Sequence, residues 1–252
     1  MTEHIIVTDE DFTRTITMWR PEKNALTQEM YIAMSDAIDS AQSNPAIRCL
    51  ILAGRSGVFT AGDDIPDFLQ AATANHDVAR PSDADTFLRS LAKNAKPIIA
   101  AVDGAAVGTG MTMVLHCDYV IASTMTTFSS PFTKYGLVPE GASSLLLPRM
   151  VGHQRAFAML VMGRPINAQD AYDAGFVNAV VPPGEAVIEA RKVARKISEL
   201  PADAVAMSRD LLKLPTEDLV RRINQEDRFF GERMQSPEAI AAFRELTLRK
   251  MR

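Results

Sequence analysis

Three short aliphatic runs, Ile47–Leu52, Ile98–Val102 and Tyr119–Ala122, constrain this chain more than any other feature. Each is rich in β-branched and aliphatic residues and too short for an ordinary helix, so each reads as a buried strand. Helical patterns stand between them. A helix is expected to begin at Thr27, whose hydroxyl can cap it. Met30, Met34, Ala37, Ile38 and Ala41 make its apolar stripe, and Asn44 and Pro45 end it. A second helix is expected at about 83–95. Upstream, Ile5–Thr8 and Phe12–Trp19 read as two β-type runs; the second alternates, with Phe12, Arg14, Ile16 and Met18 on one side. Short strands alternating with helices make an α/β fold.

From about Gly184 the pattern turns almost wholly helical, over 185–198, 202–213, 216–235 and 237–250, with Pro201, Pro215 and Pro237 as the breaks. The expected organisation is therefore a core over 1–195 and a helical C-terminal subdomain over 196–252. The polar stretch Ala71–Asp85 is the best candidate for a mobile surface loop.

Bulk properties exclude some classes. A chain of 252 residues suits one large domain, or one with a helical appendage. Its net charge of -4 leaves no footprint for nucleic acid, and no basic run marks a membrane surface. No apolar run approaches the roughly 18–20 residues of a membrane span. Cys49 and Cys117 sit in apolar runs, which fits a reducing compartment better than a disulfide framework. The opening residues lack the basic and apolar segments of a signal peptide, so a cytoplasmic location is expected. His4, His76, His116 and His153 show no metal-ligand spacing, and no metal is expected.

Two glycine-marked elements carry the chemistry. One is Phe59–Ile65 (FTAGDDI); the other is Asp103–Gly110 (DGAAVGTG), which opens a helix-like apolar run at Met111–Cys117. Glycine lets the backbone bend so that a free N–H points into a cleft. Two such donors converging on one oxygen can hold a thioester carbonyl and stabilise its enolate, at about 3–4 kcal/mol each. Either element alone is more simply a tight turn. The glycines of the second do not fit the G-x-G-x-x-G spacing of a dinucleotide site, and there is no P-loop lysine.

Taken together, Phe59–Ile65, Lys96–Gly110 (KPIIAAVDGAAVGTG) and Cys117–Ala122 (CDYVIA) resemble the crotonase superfamily of enoyl-CoA hydratases and isomerases. The likeness extends to Arg20–Leu26 upstream, and to Gly136–Pro139 and Ala171–Val181 downstream. The resemblance implies a crotonase-like ββα spiral with a helical C-terminal region. It implies homotrimers or dimers of trimers, and an acyl-coenzyme A thioester as substrate. Coenzyme A would enter as part of that substrate, with no separate cofactor.

Carried over by position, the oxyanion donors are the backbone N–H groups of Asp63 and Thr109. The Asp63 carboxylate would then have to turn away from the developing charge. The turn containing Lys23, Ala25 and Leu26, with the Ala61 carbonyl, matches the coenzyme A contacts. Gly62, Asp64, Ile65, Gly108 and Phe132 match the surrounding substrate site, although a turn or capping role suits Asp64 better.

The carboxylates decide the reaction. The two glutamates that handle water in the family's hydratases fall here at Thr112 and Phe132. What remains is Glu140, in a Pro-Glu-Gly segment resembling the single catalytic glutamate of one branch of Δ3,Δ2-enoyl-CoA isomerases. A lone carboxylate suits a proton taken from C2 and returned at C4, and apolar neighbours Leu137, Val138 and Pro139 would raise its pKa. Hydration of a 2-enoyl thioester, another crotonase reaction, or non-catalytic acyl-CoA binding stay open as alternatives. Ser143 and Ser144 are expected to cap a helix running to Met150.

Overall fold

The computed structural model describes residues 2–55, 57–67 and 82–250, the last four of these without their side chains. A six-stranded sheet has the order β1-β2-β3-β4-β6-β9. These are β1 (Ile5–Glu10), β2 (Thr13–Met18), β3 (Cys49–Gly54), β4 (Ile98–Val102), β6 (Tyr119–Ser123) and β9 (Ala179–Val181). β1 and β2 form an antiparallel hairpin, and every later pairing is parallel. Phe12 is not in β2 but in the hairpin turn, at φ 62, and exposed. Thr13 and Thr15 are buried, so β2 is covered on both faces and its alternation is not that of a half-exposed strand.

Successive residues of the parallel strands enter two different cores. Leu50, Leu52, Ile98, Ala100, Val102, Val120 and Ala122 face the main core, with α1 (Gln28–Gln42) packed there. Cys49, Ile51, Ala53, Ile99, Ala101 and Ile121 face α7 (Ala186–Glu199) on the other side. That helix presents Ala186, Ala190 and Ala194 at four-residue spacing, a stripe of small side chains that lets it lie close on the sheet. Aliphatic residues are thus demanded on both sides of each strand, which is why these runs do not alternate with polar ones. α7 lies against the sheet and spans the 195/196 division expected between core and C-terminal subdomain.

α1 has the expected N-cap, Thr27, which accepts from the Met30 N–H, and all five expected stripe residues are buried. α2 (Asp83–Lys93) starts from a reciprocal cap between Ser82 and Asp85. The expected loop therefore ends before residue 83; its part at 71–81 and His76 lie outside the described residues.

A second layer is built from short extended segments. β5 (Ala105–Val107), β7 (Thr127–Ser129) and β8 (Ile166–Asn167) pair in that order. Isolated parallel bridges join Thr60 to Ala106 and Leu26 to Asp63. Residues 24–26, 60–64 and 105–108 consequently run side by side.

α3 (Thr109–Val114) follows β5 directly, and α4 (Ser143–Val151), α5 (His153–Leu160) and α6 (Ala168–Asp173) carry the chain to β9. The C-terminal helices are α8 (Ala202–Leu212), α9 (Thr216–Met234) and α10 (Pro237–Lys250). α10 closes a cluster of Phe132, Leu137, Ala239 and Phe243. Among the described residues no helix is long and apolar enough to cross a membrane.

Candidate active site

Two backbone loops meet where the sequence places the donors. The Leu26 N–H donates to the Gly62 carbonyl (2.8 Å), and the Asp64 N–H donates to the Leu26 carbonyl (2.9 Å). This parallel pairing leaves the Asp63 N–H pointing off the ladder, where the only group described against it is its own carboxylate. Gly62 has φ +83, and a Cβ there would lie 2.8 Å from the Val107 carbonyl oxygen. Only glycine allows the first loop to press on the second. In the second loop Gly108 has φ +57, and its N–H donates to the Ser129 carbonyl (2.9 Å). Its carbonyl accepts from Met111 and Thr112, leaving the Thr109 N–H, at the first position of α3, without a described partner.

The side chains add an arrangement the sequence does not announce. The Tyr31 hydroxyl donates to Asp63 Oδ1 at 2.7 Å. Thr109 Oγ1 lies 2.7 Å from Asp63 Oδ2 and 2.7 Å from Glu140 Oε1. The Asp63 carboxylate thus turns toward the catalytic candidate, and Glu140 is not the lone carboxylate that the sequence leads one to expect. Thr109 is buried completely and Glu140 nearly so. Burial, and then the charge of Asp63, push Glu140 well above the usual carboxylate range. Burial also raises Asp63, against the hydrogen bonds from Tyr31 and Thr109. At this turn a Cβ on Gly141 would strike Thr112 Cγ2 and the Leu88 side chain, neither of them among the apolar neighbours expected from the sequence. Leu137 instead packs with Phe132 and α10.

Glu140 sits on a constrained turn. Gly141 and Ala142 both have φ +62, an arrangement that costs the alanine about 1–2 kcal/mol. Two buried groups hold it. His116 Nε2 lies 2.7 Å from the Gly141 carbonyl, which can only accept, so that nitrogen carries the hydrogen. Burial lowers the His116 pKa to about 4, keeping the ring neutral. From α9, the Glu226 carboxylate accepts from the Ala142 N–H (2.5 Å), the Ser144 N–H (3.0 Å) and the Ser144 hydroxyl. The cap residue of α4 is Ala142, with no side-chain cap of its own. Ser143 and Ser144 are not the N-caps the sequence suggests; a carboxylate from a distant helix serves the exposed donors instead.

Glu226 gives a testable pH dependence. Burial raises its pKa from 4.5 to about 7, so between these values the folded state holds a proton that the unfolded state has lost. Stability must therefore fall as pH rises through that window. Denaturation of wild type and Glu226→Gln at matched pH values measures this: the gap between them should change across the window. A constant gap would remove Glu226 as the titrating group.

The remaining sequence candidates cluster beside the first loop. The Lys23 carbonyl accepts from the Ala61 N–H (3.0 Å), and Lys23 itself is exposed. Ala25 gives its carbonyl to Arg20 (3.0 Å), and Leu26 is buried. Asp64 is paired with Arg20 at 2.8 Å, which gives its carboxylate a structural partner. Ile65 packs against the cluster containing Phe132, whose ring reaches toward Gly108. Phe132 and Thr112, the positions to which the resemblance assigns the hydratases' glutamates, are both buried.

Sequence reasoning missed Tyr31, Arg20, His116, Glu226 and the hydroxyl of Thr109. Tyr31 left one signal, a polar-tipped aromatic next to Met30 on the inward face of a helix. Glu226 left none, because its partner is more than eighty residues away.

A family profile described as Enoyl-CoA hydratase/isomerase matches residues 12–248. The chain is 30% identical to 1,2-epoxyphenylacetyl-CoA isomerase of Escherichia coli, over 96% of each chain. It is 28% identical to the mouse protein named enoyl-CoA delta isomerase 3, peroxisomal, over 98% of this chain and 78% of that one. Among solved structures, OdaA of Pseudomonas aeruginosa superposes with a TM-score of 0.91 at 38% identity, covering 97% of this chain and 99% of the other.

Proposed function

From a chain that belongs to the enoyl-CoA hydratase/isomerase family, we propose a proton shift on an unsaturated acyl-coenzyme A thioester, converting a 3-enoyl to a 2-enoyl ester. The observation that carries this reading is the buried Glu140 carboxyl 2.7 Å from the hydroxyl of Thr109, the residue whose N–H is the second oxyanion donor. Thioester oxygen between the Asp63 and Thr109 N–H groups would place the adjacent carbon near Glu140. Ionised Glu140 takes the C2 proton, and the electrons spread over a dienolate whose oxygen the two N–H groups stabilise. The same carboxyl returns the proton at C4, leaving the double bond conjugated with the thioester. Coenzyme A belongs to the substrate, and no further cofactor takes part.

Support comes from Thr112 and Phe132, which put a small hydroxyl and a ring where water-handling glutamates would stand. The mouse relative is named for a delta isomerase. One observation favours hydration instead: Asp63 supplies a second carboxyl beside Glu140. A panel of 3-enoyl and 2-enoyl thioesters separates the two. The expected result is growth of conjugated thioester absorbance from 3-enoyl substrates, with little loss of it from 2-enoyl substrates. Rapid loss from the 2-enoyl series would replace isomerisation by hydration; binding without turnover of either would reduce the chain to an acyl-CoA-binding protein. Met207, Leu211 and Leu212 lie exposed on α8 and would suit contacts between copies in a trimer.

A further inference from the structure

We infer that Asp63, Thr109 and Glu140 hold one transferable proton in common, and that its passage through the Thr109 hydroxyl to Asp63 arms Glu140 as a base while discharging the wall of the oxyanion hole. The use made of that base rests on the proton-shift reading above; the shared proton itself does not.

A threonine hydroxyl carries one proton and can donate one hydrogen bond. Thr109 Oγ1 lies 2.7 Å from an oxygen of each of two carboxyls. If both were ionised, one contact would set lone pair against lone pair, between like charges in a site from which water is largely excluded. One carboxyl must therefore donate to Thr109, which donates to the other. Tyr31 does not remove the constraint, because its proton is spent on the far oxygen of Asp63. Among the described residues, the surrounding charges supply no free cation either. Asp85 from α2 and Asp227 from α9 raise Glu140 further, and Arg89, the nearby base, is hydrogen-bonded to Asp227 and Asn224.

Two arrangements satisfy the count. In the first, Glu140–OH donates to Thr109, and Thr109 donates to ionised Asp63. In the second, Asp63–OH donates to Thr109, and Thr109 donates to ionised Glu140. They interconvert when the Glu140 proton moves to Thr109 Oγ1 as the Thr109 proton moves to Asp63 Oδ2. One O–H bond breaks and one forms at the threonine, and the net charge of the pair stays at minus one. Only the second arrangement gives Glu140 a base. It also leaves Asp63 neutral at the position where its charge would oppose an enolate. Charge developing on the thioester oxygen disfavours ionised Asp63, and so draws the proton toward it. Asp63 acts through Glu140 and is in this sense a positioning residue.

Infrared difference spectra of the free protein at neutral pH test the sharing without any substrate. Wild type minus Asp63→Asn and wild type minus Glu140→Gln should each show one protonated-carboxyl C=O band. In each variant the remaining carboxyl keeps the single negative charge. Carboxyls common to wild type and variant, Glu226 and Asp227 among them, cancel in the differences. A band missing from the Asp63→Asn difference would assign the proton to Glu140 alone and overturn the proposal. A band missing from both differences would do the same.

Exchange of the C2 hydrogens of a saturated acyl-CoA into deuterated solvent reads base action whatever the final reaction is. Its wild-type pH profile should be a bell, falling on the alkaline side as the last shared proton leaves. Asp63→Asn should keep the acid limb and lose the alkaline one. A merely structural role would lower exchange at all pH values with the bell retained. Thr109→Val should slow exchange on the order of 10²-fold and Thr109→Ser should restore most of it. Failure of the enoyl panel with these results intact would sink the isomerase assignment and spare the shared proton.

Discussion

Glu140→Gln is expected to lower turnover by about 10²–10⁴-fold while binding a saturated acyl-CoA with nearly wild-type affinity. Glutamine keeps the length of the side chain, and its amide N–H can donate to the Thr109 hydroxyl, which lies 2.7 Å from Glu140 Oε1, while Thr109 donates to ionised Asp63. What it loses is the capacity to take and return a proton. The proposed oxyanion donors, the backbone N–H groups of Asp63 and Thr109, are untouched, so residual catalysis above solution should persist. Steady-state kinetics and calorimetry on the same preparation give the answer. Wild-type turnover would show that another group is the base; lost binding would show that Glu140 shapes the pocket instead.

Gly104→Ala carries the second large effect, and it falls on folding. Gly104 joins β4 to β5 at φ +81, and a Cβ there would stand 1.9 Å from the Gly57 carbonyl oxygen. Backbone must move, because neither partner is a flexible side chain. An overlap of this kind, added to left-handed strain, should cost about 3–5 kcal/mol. Gly57→Ala is the matched control: φ is +70, yet nothing lies within 4 Å of its Cβ. That change should cost only the strain, about 1–2 kcal/mol. Denaturant midpoints compare the two directly. Equal losses would mean that the close approach at Gly104 relaxes without cost. Because β5 leads within two residues to Thr109, displacement here would also disturb the loop proposed to offer the second oxyanion donor.

Much of the architecture was legible because it is written in short-range patterns. The cap at Thr27 and its stripe from Met30 to Ala41 specify α1 within fifteen residues. The prolines at 201, 215 and 237 set where the C-terminal helices begin, within a residue or so. The two glycine elements marked where free N–H groups would appear, and they do lie together. Where the sequence misled, tertiary contacts replaced local ones. Ser143 and Ser144 look like caps, but Glu226 reaches α4 first. Thr13 and Thr15 alternate with Arg14 and Ile16, yet both are buried, because the sheet is covered on both sides.

By itself, then, the sequence determined an α/β spiral of this family, two loops able to offer donors, and Glu140 as the carboxyl to examine. Only the tertiary structure decided that Glu140 has a companion. Tyr31, Asp63, Thr109 and Glu140 belong to four separate segments, and no period or propensity relates them. Their hydrogen bonds follow from the long-range parallel register that lays 24–26, 60–64 and 105–108 side by side. Burial raises the pKa of both carboxyls, Asp63 and Glu140, and no linear pattern encodes that burial.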